Sequence, residues 1–80
     1  MKVIWTGNFL GSRLTLASLD SLGTYAYLYT PPEASLEGTI EIQNPPESPE
    51  DLCEALIGGV EDIYKLFLSE HRKRIDATLN

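Results

Sequence analysis

The chain offers one thiol and one imidazole, Cys53 and His71, set 18 positions apart. On a single helix that spacing amounts to about 27 Å at about 1.5 Å per residue, too far for a nucleophile and its base within one subunit. One Cys and one His also fall short of the usual tetrahedral zinc set. Glu61 and Asp62 are adjacent, so on a helix they splay by about 100° instead of converging as an acid–base pair. The stretch IGGVED has two glycines but no other part of a phosphate-binding loop. The run HRKR, His71 to Arg74, suits the negative end of a helix dipole, and could also grip a phosphate or an acidic partner. No catalytic, cofactor or metal signature emerges, and the expectation is a protein that is not an enzyme.

Eighty residues with a 42% hydrophobic fraction fit one domain, near the size where a single core barely suffices. No apolar run approaches the roughly 18 residues of a membrane span, and MKVIWTGNF lacks the apolar stretch of a signal peptide. The single cysteine rules out a disulfide within the chain, which suits a reducing, cytoplasmic setting.

Residues 2–43 read as about four short antiparallel strands in an α+β domain. KVIWT is β-branched and aromatic; RLTLAS, TYAYLYT and TIEIQ alternate. GNFLGS, LDSLG and PPEASLEG supply turn residues between them. The leucines of residues 10–22 would also suit a helical turn.

From about 49 to 75 the pattern predicts one long amphipathic helix packed on one sheet face. Ser48 serves as N-cap, Pro49 as the first helical residue, and Glu50 and Asp51 favour the positive end of the dipole. Leu52, Leu56, Val60, Ile63 and Phe67 share a stripe that Cys53, Ile57, Tyr64 and Leu68 widen. The stripe keeps its phase across Gly58 and Gly59. That favours a continuous helix whose glycines mark close approach to the sheet or to another chain; a kink is the competing reading. Such a helix overhangs short strands, and residues 74–80 would form a frayed tail.

GTYAYLYT places Tyr25, Tyr27 and Tyr29 on one face of a strand. If Ala26 and Leu28 join Leu14, Leu16, Ile40 and Ile42 in an aliphatic core under the helix, the tyrosines stand on the open face. There they would contact a partner protein or a second copy of the chain, or simply decorate a wet surface. A base-stacking role is disfavoured by the surrounding charge.

The net charge is −6, and residues 14–64 hold ten acids and no Lys or Arg. Direct nucleic-acid binding is therefore disfavoured, and the partner expected is a protein with a basic surface. Glu33, Glu37, Glu41, Glu47, Glu54, Glu61 and Asp62 are the candidate acidic contacts. In size and charge the chain resembles phage anti-CRISPR and anti-restriction proteins and nuclease immunity proteins. That resemblance implies an inhibitor or adaptor that occupies a basic site. Strands followed by SPEDLCEALIGGVEDI also resemble antitoxins of the HicB type, whose characteristic motif residues are absent here. The alternative is a self-assembling module, a homodimer through the open, tyrosine-bearing sheet face.

Overall fold

The computed structural model describes the backbone of residues 1–79 and the side chains of residues 1–73. The chain lays down β1 (Lys2–Phe9), β2 (Ser12–Ser18), β3 (Thr24–Tyr29) and β4 (Leu36–Glu41), then α1 (Pro49–Leu79). The strands form one antiparallel sheet in the order β1-β2-β3-β4, the meander that short links favour. The first strand is longer than its composition predicts, because Gly7, Asn8 and Phe9 stay in the ladder opposite Leu14, Arg13 and Ser12. The turn shrinks to Leu10 and Gly11, with φ of 51° and 84°; both positive values are what a two-residue type I′ hairpin needs. The fourth strand likewise starts at Leu36, ahead of the expected Thr39.

At the second turn the Asp20 carboxylate accepts hydrogen bonds from the backbone N–H groups of Leu22 (2.8 Å) and Thr24 (3.2 Å). Those two bonds, the Leu22 one foremost, hold its carboxyl below the usual aspartate value. Gly23 follows with φ of 98°, and a side chain there would collide with the Ile42 carbonyl. No residue but glycine fits both demands.

Ser48 caps α1 as its sequence implies: its carbonyl accepts from Leu52 N–H at 3.0 Å and its hydroxyl from Asp51 N–H at 3.5 Å. The helix continues unbroken through Gly58 and Gly59. A Cβ on Gly59 would sit 3.2 Å from Ile40 Cδ1, so this glycine marks a close approach to β4, whereas Gly58 faces open space. The helix runs past the expected end at Ile75. The side chains of residues 74–80, and with them the expected frayed tail, lie outside the described residues.

The core joins Leu14, Leu16, Tyr25 and Tyr29 of the sheet to Leu56 and Val60 of the helix, with Tyr27, Ile40, Ile42, Leu52, Ile57 and Tyr64 packed around them. This overturns the expected face assignment. Leu14 pairs directly with Tyr29 and Leu16 with Tyr27, and directly paired residues share a face. The leucines therefore cannot lie under the helix without taking Tyr25, Tyr27 and Tyr29 with them. Tyr29 is 0% exposed while Leu28 is 42% exposed; Ala26 and Leu28 occupy the open face instead of the core. Three phenol rings offer more apolar area than one alanine and one leucine. The Tyr29 hydroxyl meets its polar demand by donating to the Phe9 carbonyl at 2.9 Å.

Two strand glycines make room for this aromatic layer. A Cβ on Gly38 would lie 2.9 Å from the Tyr27 hydroxyl oxygen, and one on Gly7 2.8 Å from the Trp5 ring. A register shift between Val3 and Trp5 marks a bulge. The bulge lets the successive side chains of Ile4 and Trp5 both pack toward the core.

Candidate functional site

The open face of the sheet is built from the residues that alternate with the core layer. Val3, Ala17 and Ala26 stand in one cross-strand row, and Thr15, Leu28 and Glu37 in the next. Together with Met1 they line a shallow groove of about 320 Å³. Its floor is Ala17, 5% exposed, and its shoulders are Val3 and Leu28, 56% and 42% exposed. Among the described residues no basic side chain lines it. Glu37, Thr39 and Glu41 run along β4 on this face and are all exposed. Positions 37 and 41 are about 13 Å apart along the strand at about 3.3 Å per residue. An apolar trough bordered by a carboxylate edge is suited to an apolar anchor flanked by Lys or Arg.

The other candidate acids do not join this patch. Glu33 accepts the Tyr64 hydroxyl at 3.1 Å, a tie between the β3–β4 loop and α1 that the edge-on Tyr29–Tyr64 contact reinforces, with centroids 5.2 Å apart. Burial first, and then the Glu33 carboxylate, push the Tyr64 phenol above its ordinary value. Glu47 is exposed ahead of the helix, and Glu54 and Asp62 are exposed on it. Glu61 pairs with Lys65 at 3.1 Å. Tyr25 and Tyr29 belong to the core, and Tyr27, half-buried, packs against it while also lining the open-face groove.

A second cleft opens between β1 and the first turns of α1. Ile4, Trp5, Cys53 and Ile57 line it, with Glu50 and Glu54 beside them, in a volume of about 470 Å³. Sequence patterning gave Cys53 as a core residue; it is half-buried at this cleft. His71 stacks on Phe67 at 5.8 Å, farther along the same helix from Cys53. Among the described residues no group of three or more His, Cys, Asp or Glu is placed to hold a metal ion, and no helix is long and apolar enough to cross a membrane.

The groove is not legible in the sequence, because Ala26 and Leu28 look there like ordinary core positions. Gly7 and Gly38 were the available signal, since glycine inside a strand marks a place where a large neighbour lies across the sheet. No family model matches the chain, and no curated protein or solved structure matches it.

Proposed function

We propose that the chain is a small, acidic, non-catalytic interaction domain, an inhibitor or adaptor that docks through its open sheet face on a basic surface of a nucleic-acid-binding protein. The observation that carries this reading is the uncovered groove between Val3 and Leu28 with Glu37 and Glu41 along its edge. Exposed apolar side chains supply the anchors. The carboxylates oppose phosphate and attract Lys and Arg, and the excess of acids over bases extends that field beyond the groove. The helical separation of Cys53 from His71 supports a non-catalytic role, and a free cysteine is at home in a reducing, cytoplasmic compartment. The alternative of a dimer through a tyrosine-bearing face loses two of its three anchors, because Tyr25 and Tyr29 are buried in the core.

The test is affinity capture from a nuclease-treated extract of the source cell at low and high salt, with the Leu28→Glu and Glu37→Lys/Glu41→Lys variants alongside. One dominant basic, nucleic-acid-binding protein should be retained at low salt, released at high salt and lost with both variants. Capture that ignores both variants would overturn this reading of the face.

A further inference from the structure

We infer that α1 pairs antiparallel with α1 of a second copy of this chain, through one helix flank that is self-complementary in shape and charge. Two clefts of opposite character lie along that flank. The first is the apolar cleft of Trp5 and Ile57 with Glu50 and Glu54 beside it. The second surrounds Leu68, with Lys65, Ser69 and Arg72. At about 100° per residue, Glu54, Ile57, Glu61, Lys65, Leu68 and Arg72 follow the i, i+3, i+7 spacing of one stripe. Acids hold its first half and bases its second.

A two-fold axis crossing the helix near Ile63 exchanges the two clefts. Leu68 of one copy then lies over Ile57 and Trp5 of the other, Glu54 meets the second copy's Arg72, and the Glu61–Lys65 pair within each copy faces its counterpart head to tail. Each contact occurs twice, as an isologous interface requires. The shape of the chain allows it. Among the described residues, the helix positions packed against the core end at Tyr64, yet α1 runs to Leu79 and the molecule is 49 Å long but only 23 Å and 19 Å across. The described helix residues beyond Tyr64 thus extend past the core, where they can lie beside the first half of another copy. This surface is separate from the open sheet face, so the two proposals stand or fall independently.

Sedimentation velocity of the intact chain over a concentration series tests the pairing. A monomer–dimer equilibrium that weakens in high salt is expected. Arg72→Glu and Glu54→Arg should each raise the dissociation constant more than tenfold, the double reversal Glu54→Arg/Arg72→Glu should restore it, and Leu68→Ser should abolish dimers. Circular dichroism would establish that each variant stays folded. Trp5 and Cys53 are the only tryptophan and cysteine, so dimer formation should blue-shift tryptophan emission and slow alkylation of the thiol. A chain that is monomeric throughout, or a dimer indifferent to both single reversals, would overturn the inference; the second result would place the contact elsewhere, such as the open face.

Discussion

Replacing Tyr29 by alanine should come close to unfolding the domain, and replacing Leu28 by alanine should barely register. Tyr29 is 0% exposed, its ring meets Phe9 and Tyr64 at centroid distances of 5.6 Å and 5.2 Å, and its hydroxyl serves the Phe9 carbonyl. Removing a fully buried aromatic ring costs about 3–5 kcal/mol. At 0.05–0.15 kcal/mol per residue, a chain of this length has only about 4–12 kcal/mol in total. Leu28, 42% exposed on the open face, stands to lose about 1 kcal/mol or less of transfer free energy. With a urea slope near 1 kcal/mol/M for so small a domain, the midpoint should fall by about 3 M or more for Tyr29→Ala and by less than about 1 M for Leu28→Ala. Tyr29→Phe isolates the hydroxyl, whose hydrogen bond is worth about 0.5–1.5 kcal/mol. Chemical denaturation followed by far-ultraviolet circular dichroism measures all three. If Leu28→Ala shifted the midpoint as far as Tyr29→Ala, the core would lie on the other side of the sheet and the docking face proposed above would be wrong.

Gly58→Ala should stabilise the helix by about 0.5–1 kcal/mol, since its Cβ meets nothing within 4 Å. Gly59→Ala should gain less or lose, because Ile40 must give way; thermal melts of the two variants decide. Asp20 has a lowered folded-state pKa, so its contribution is complete above the unfolded value and disappears as pH falls through the folded one. Asp20→Ala should therefore flatten the acid limb of the stability–pH curve and speed amide exchange at Leu22 and Thr24. Tyr64 has a raised pKa, so its contribution is present below the ordinary tyrosine value and is lost as pH rises through the raised one. Tyr64→Phe should remove that alkaline loss, and with it one phenol that titrates above the ordinary tyrosine value in an ultraviolet titration.

The sequence by itself determined the elements. β-Branched and aromatic composition marked the first strand and alternation the other three, the Ser48-Pro49 start and the phased stripe marked the helix, and the prolines and Asp20-Ser21-Leu22-Gly23 marked connections, because each is written in local spacing and turn chemistry. It also determined that Tyr25, Tyr27 and Tyr29 share a side, and that Ala26 and Leu28 take the other. Which side faces the helix was decided only by tertiary structure. A period of two is symmetric between faces, and a shift of one residue in register exchanges them. Leu14 opposite Tyr29 and Leu16 opposite Tyr27, the bulge that aims both Ile4 and Trp5 inward, and the gaps left by Gly7 and Gly38 broke that symmetry. The acids were legible as a charge excess, but their grouping was not. Glu37 and Glu41 come to the open face, Glu54 and Glu61 to the helix flank and Glu33 to a tie with Tyr64, because each strand pairing and helix contact joins residues that sequence spacing keeps apart.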